Sequence, residues 1–210
     1  MKTQLTSSRF DFNSIAQALD QRRVLAYLCK TRGLSPDVVW TEIKRGLLTQ
    51  ESRTGNAIFA MTNESDEIVG AEVVGTLSFK NIRFKGLKTG SEKGYGYCIG
   101  QSHDPHYILF FESAVDMLSF VCIKRRQLKT LTACLLVSMA GLKTSVVQNV
   151  LLRFGNGSAI PVLCADNDDA GFKFNLSCMD LFPSVIVNQP DKCFKDWNDQ
   201  LLALYKKTRL

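Results

Sequence analysis

Beyond residue 106 the chain alternates apolar runs of strand length with stretches of helical periodicity, and this restricts the fold more than any other feature. Residues 107–111, 131–137, 160–164 and 184–187 read as strands, and 113–126, 144–154, 170–181 and 197–207 as helices. A strand that reaches its neighbour through a helix runs parallel to it, so the pattern predicts βαβ units in a doubly wound sheet.

The preceding half reads differently. Periodicity predicts a helix over 14–31, closed by Gly33, and a second from Pro36, capped by Ser35, to about 45. Runs at 56–61, 68–77 and 79–84, with a turn at 63–66, read as antiparallel hairpins. The glycine-rich stretch 86–100 reads as a long loop ending in a short strand. The expected division is a small α+β domain over 1–103 and the α/β unit over 104–210, with residues 1–12 a loose leader lacking a signal-peptide h-region.

Acidic residues stand where such sheets bind ligands, beyond the carboxyl ends of the strands. Glu112 follows YILFF, Asp166 follows IPVLCA with Asp168 beside it, Gly171 opens the next helix, and Asp196 lies in KDWND. Magnesium prefers oxygen ligands and takes one or two carboxylates, waters and substrate phosphates. Taken singly, Glu112 reads as a helix-start charge and D-N-D-D-A-G as a turn with capping acids. In this order and on strand ends, they point to a metal site. An EF-hand would need suitable ligands at Ala170 and Ser177, and an aspartyl nucleophile at Asp166 would leave Glu112 without a role.

Charge and cysteine usage narrow the partners. The net charge of +6 is concentrated in Lys80, Arg83, Lys85, Lys88 and Lys93, and again in Lys124, Arg125, Arg126 and Lys129. Each cluster reads as a solvated face or a surface for a polyanion. Phe79, Phe84 and Tyr95 are candidates for stacking on bases, with core packing the plainer reading for Phe79 and Phe84. Trp40 and Trp197 read as packing anchors, and Lys195 as half of an exposed salt bridge. Seven cysteines without a C-x-x-C pair predict a reduced, cytoplasmic chain without a zinc ribbon. His103 and His106 read as a polar connector, and no apolar run is long enough to span a bilayer.

FFESAVDMLSF resembles the glutamate motif of Toprim domains, ADNDDAG their Asp-x-Asp motif, and the spacing with LLVSMAG between is similar to that of bacterial replicative primases. KDWND resembles a later acidic motif, except that its second acid is here Asn198. RRVLAYLCKTRGLSPDVVWTEIKRGLL, NAIFAM and FKGLKTGSEKGYGYCIG are similar to the domain (DUF3991) that precedes Toprim in primase-like proteins of bacterial plasmids and conjugative elements. The resemblance implies a Toprim fold: Rossmann-like, with a mostly parallel four-stranded sheet and helices on both faces. It implies a primase-like nucleotidyltransferase core using Mg²⁺ or Mn²⁺. Glu112 would be acid/base or metal ligand, and Asp166, Asp168 and Asp196 metal ligands. Asp116 and Gly171 would support the site, and Lys80, Arg83, Lys85 and Lys88 would contact nucleic acid. Single-stranded DNA template, nucleotides and a separate helicase or zinc-binding protein are the implied partners. A Toprim nuclease and a non-catalytic nucleic-acid-binding accessory protein remain open, because one fold hosts several reactions.

Overall fold

The structure, a computed structural model, describes residues 10–77, 84–100, 103–125 and 133–207. Phe79, Lys80, Arg83, Arg126 and Lys129, singled out above, lie outside the described residues.

The helix expected over 14–31 is interrupted. Phe12–Ser14 forms a 3-10 turn. The next residues lie extended against the first strand: Ala18 N–H donates to the Gln50 carbonyl and Ser52 N–H to that of Ala16, both at 2.8 Å. Sheet pairing satisfies these backbone groups and overrides the helical periodicity. Helix α1 (Arg22–Leu25) follows and continues as a π-helical segment (Ala26–Thr31), closed by Arg32 N–H on the Tyr27 carbonyl at 3.0 Å. Helix α2 (Pro36–Lys44) starts at proline, whose fixed φ and missing N–H suit a first helical position.

Strands β1 (Leu48–Gln50), β2 (Ala57–Thr62), β3 (Ile68–Val74) and β4 (Lys85–Leu87) form an antiparallel sheet in chain order. The β2–β3 turn is closed by Asn63, whose side-chain oxygen accepts from the N–H groups of Ser65 (3.0 Å) and Glu67 (2.9 Å).

The second sheet contains β5 (Tyr97–Gly100), β6 (Tyr107–Phe111), β7 (Cys134–Ser138), β8 (Ile160–Cys164) and β9 (Ile186–Val187), in the order β5-β7-β6-β8-β9. The four parallel strands expected are all present. A fifth, β5, runs antiparallel along β7 and comes from the chain ahead of residue 103. Helices α3 (Ala114–Lys124), α4 (Thr144–Phe154), α5 (Asp169–Leu181) and α6 (Trp197–Lys207) cover the sheet.

Alternate strand residues serve opposite faces. Leu109, Phe111, Leu136 and Cys164 pack with α3 and α6, and Ile108, Phe110, Val137 and Leu163 with α4 and α5. The first face also receives Val24, Leu28, Leu34, Val39 and Phe59 from the N-terminal part, so both parts share one core. Phe120 stands edge-on to Trp197 at 4.9 Å and tilted to Phe111 at 5.2 Å. Trp197 is thus the anchor expected of it, whereas Trp40 is 43% exposed on α2. Phe84 is likewise 56% exposed, beside the short edge strand β4, and is not a core residue. Among the described residues no helix is long and apolar enough to cross a membrane.

Candidate functional site

The topology opens a crevice at one place. From central β6 the chain passes to β7 on one side, then crosses back to β8 on the other. Loops leaving β6 and β8 therefore diverge, leaving a gap at their carboxyl ends. Glu112 leaves β6 and Asp166 follows β8 by two residues, on either side of that gap. They line a cleft of about 240 Å³ together with Asp116, Asp168 and Asp196, and with the cations Arg32, Lys85 and Lys195.

Local structure fixes each acid differently. Ser113 caps α3, and its hydroxyl bonds to the buried Asp116 carboxylate. Asp168 caps α5, one oxygen accepting Gly171 N–H at 3.0 Å, while the other lies 3.8 Å from Lys195 Nζ. Asp196 accepts Asp199 N–H at 2.7 Å at the start of α6. Capping thus occupies part of Asp168 and Asp196 and sets their direction. Asp166 differs. It is 6% exposed, and its Oδ1 is buried without a hydrogen-bond partner. Its backbone is held by Gln189, whose amide donates to the Asp166 carbonyl at 2.9 Å.

Gathering carboxylates out of water raises their proton affinity. Burial and then Asp116, Glu112 and Asp196 push Asp166 up to about 8. Burial and then Asp196 push Asp116 up to about 6. Glu112 is raised mainly by burial, with Lys85 opposing. Raised carboxyls in the folded state bind protons more tightly than the unfolded chain does. Their contribution to stability is complete below the ordinary carboxylate range and is lost as pH rises towards 8. We expect the metal-free protein to melt roughly 5 °C lower at pH 8.5 than at pH 4.5, and millimolar Mg²⁺ to restore much of this at the higher pH only. Thermal melts at both pH values check it; a melting temperature that rises with pH would contradict the crowding of these acids.

The donor set suits a hard divalent cation. It is all oxygen, it carries excess negative charge, and it leaves one buried carboxylate oxygen without a partner. Among the described residues no three or more His, Cys, Asp or Glu side chains are gathered closely enough to hold a metal ion by themselves. An open arrangement is the one magnesium ordinarily uses, with water and substrate phosphate completing its shell. Asp166 and Asp168 are the residues that could hold such an ion, with Glu112 and Asp196 lining the same cleft.

Not every residue singled out in the sequence comes to this cleft. Lys85 does, but Lys88 pairs with Glu51 and lines a different groove. Tyr95 is buried beneath Arg153, whose guanidinium lies 3.9 Å from its ring centre, so its face is not free for a base. Lys124 lies over the Phe120 ring and Arg125 pairs with Asp37. His106 stacks on Tyr107 at 4.6 Å. Two residues at or beside the cleft escaped the sequence reading. Arg32 looked like an ordinary basic residue at a helix end. Glu72 was legible as an acid inside the apolar run IVGAEVV, since charges are seldom buried unless partnered.

Asn198, which departs from the acidic motif, is 2% exposed. Its amide donates to the Arg32 carbonyl (2.7 Å) and Ser119 Oγ (3.0 Å), and its oxygen accepts from Arg32 Nη1 (3.2 Å). It ties α6 to α3 and to the end of the π-helical segment.

Comparison with known proteins bears on the family and the fold. Residues 26–104 match the family described as a protein of unknown function, DUF3991, and residues 109–201 match the family described as Toprim-like. An uncharacterized protein of Bacillus anthracis, pXO2-78, is 28% identical over 222 residues, a match covering 96% of this chain. The chain spans 63% of that relative's length. The primase fragment of the bacteriophage T7 primase-helicase protein superposes with a TM-score of 0.60 at 19% identity, over 85% of this chain and 70% of that one. A DNA primase domain from Pseudomonas aeruginosa gives 0.55 at 13%, over 90% and 71%. The RNA polymerase domain of the Mycobacterium tuberculosis primase gives 0.55 at 13%, over 92% and 77%. At these identities the structural likeness is one of fold.

Proposed function

We propose, taking as premise a chain that joins a DUF3991 segment to a Toprim-like one, that it forms the core of a primase-like, metal-dependent nucleotidyltransferase acting on a DNA template. The observation that carries this reading is the mixed cleft: five carboxylates and three cations share one opening at the carboxyl ends of parallel strands. Phosphoryl chemistry needs both signs, acids to hold a divalent cation and bases to receive phosphate oxygens.

Asp166 and Asp168 would hold the cation, with Asp196 adding charge beside them. When bound, Mg²⁺ or Mn²⁺ would supply neutralisation of phosphate charge and a lowered proton affinity at the attacking oxygen. Glu112, raised above the ordinary carboxylate range by burial, either adjoins the cation or accepts a proton from an incoming hydroxyl. Arg32, Lys85 and Lys195 orient phosphates. Single-stranded DNA and nucleotides are the partners in this reading, with a helicase or zinc-binding protein supplied separately, in the cytoplasm.

The test is incubation with single-stranded DNA, labelled ribo- and deoxynucleotides and Mg²⁺ or Mn²⁺. Metal-dependent extension products are expected, and Glu112→Gln should reduce them by about a hundredfold. Shortened DNA instead would make the protein a nuclease. Salt-sensitive DNA binding with no turnover would make it an accessory protein.

A further inference from the structure

Glu72 is a carboxylate in the middle of β3, 1% exposed, and it crosses from the N-terminal sheet to the other one. Its Oε1 accepts Ala114 N–H at 3.1 Å, and its Oε2 accepts the Ser138 hydroxyl at 2.6 Å. These partners are not arbitrary. Ala114 N–H is a free donor in the first turn of α3, directly after the Glu112–Ser113 turn. Ser138 ends β7, and the loop it begins holds the other side of the same turn. Met139 N–H donates to the Phe111 carbonyl at 2.9 Å and Gly141 N–H to the Glu112 carbonyl at 2.7 Å. One buried side chain therefore grips both segments between which the Glu112 backbone is clamped.

We propose that Glu72 is a positioning residue of the acidic cleft: it acts through Ala114 and Ser138 to set where Glu112 stands, so that the N-terminal sheet completes the site carried by the parallel one. Glu72 does not itself line the cleft. Its task is to hold Ala114 N–H and Ser138 Oγ in a fixed place, and a side chain that bonds both serves as well. Glutamine does so with one bond reversed, accepting from Ala114 through its oxygen while its amide donates to Ser138 Oγ. Methionine fills similar space but accepts neither bond usefully. An unpaired buried N–H and hydroxyl then drive the turn towards water or other partners.

The inference rests on the reading of Glu112 as a working residue, and the experiment separates the two. Amide hydrogen exchange and steady-state primer synthesis are compared for the full chain as wild type, Glu72→Met and Glu72→Gln. In Glu72→Met, exchange across 112–118 is expected to quicken about tenfold or more while the amides of α4 and α5 keep their protection. The kcat should fall about tenfold with KM changed less than about twofold, since misplacing a reacting group costs rate rather than binding. Glu72→Gln should restore both readouts to within about threefold of wild type. The local exchange change with Gln rescue, in a protein that shows no turnover even as wild type, would uphold the positioning role and remove the nucleotidyltransferase reading. Exchange at 112–118 unchanged in Glu72→Met, or quickened equally throughout the chain, would overturn the inference. So would kcat falling equally in Met and Gln, which would point to the charge rather than the bonds.

Discussion

Asp166→Asn is expected to change turnover and stability in opposite directions. Asparagine keeps the shape of the side chain but removes the charge, so in the proposed reading a divalent cation would lose a ligand, and Asp168 and Asp196 are already partly engaged as caps. Turnover should fall by at least about a hundredfold, beyond the loss usual when a residue merely supporting a ligand is changed. Stability should rise. The wild-type carboxylate is 6% exposed, has an oxygen without a hydrogen-bond partner, and is opposed by Asp116, Glu112 and Asp196. Removing an uncompensated buried charge should be worth roughly 1–3 kcal/mol at pH 8.5. Near pH 4 the gain should vanish, because the folded wild type is then protonated at this position at little cost. Urea titrations at both pH values, without and with Mg²⁺, read this directly. A variant that is less stable than wild type in metal-free buffer at pH 8.5 would mean that Asp166 is well accommodated, and the cleft would lose its claim to a cation.

Gly171→Ala should unsettle the same residue from behind. In an ordinary helix the change would help by about 1 kcal/mol. Here a Cβ on Gly171 would stand 2.1 Å from the Asp166 carbonyl oxygen and 3.1 Å from its carbonyl carbon. The obstacle is backbone, and that carbonyl is already engaged by Gln189. Either α5 or the Asp166 loop must shift, at a cost of about 3 kcal/mol. The displacement carries Asp166 and Asp168 with it, so metal-dependent turnover should fall in parallel with the melting temperature. A Gly171→Ala protein that melts and turns over as wild type does would show that this contact is slack.

How far these features were legible in the sequence depended on the range of the interactions that create them. The helix 144–154 and the strands 107–111 and 160–164 lie where periodicity puts them, because the apolar pattern of each segment is already visible in its own residues. The helix expected over 14–31 failed where residues 16–18 find partners about 35 positions away beside β1, a pairing no local pattern announces. Strand β5 is the short strand expected at the end of the glycine-rich stretch, but nothing in YCIG says which sheet it joins, and only β7 makes it part of the second one. In the cleft, the acids were legible because strand ends and topology bring them together. Arg32 and the bonds of Asn198 come from elements distant in sequence, and their types alone suggest nothing beyond polarity, whereas Glu72 stands out as an acid in an apolar run although its partners do not. Asn198 looked like a damaged motif; in the fold it is a fully bonded joint.

The π-helical segment Ala26–Thr31 also sets a phase. An α-helix advances about 100° per residue, so accommodating one additional residue in a turn rotates everything after it by about that angle relative to an uninterrupted helix. Arg32 lies at this offset. Its Nε reaches the Tyr27 hydroxyl at 2.9 Å and its Nη1 reaches Asn198, with the guanidinium at the edge of the acidic cleft. With regular winding the same arginine would leave the helix on another bearing, about a quarter-turn away. The cleft thus owes one of its three cations to a miscount in the winding of a helix more than eighty residues before Glu112.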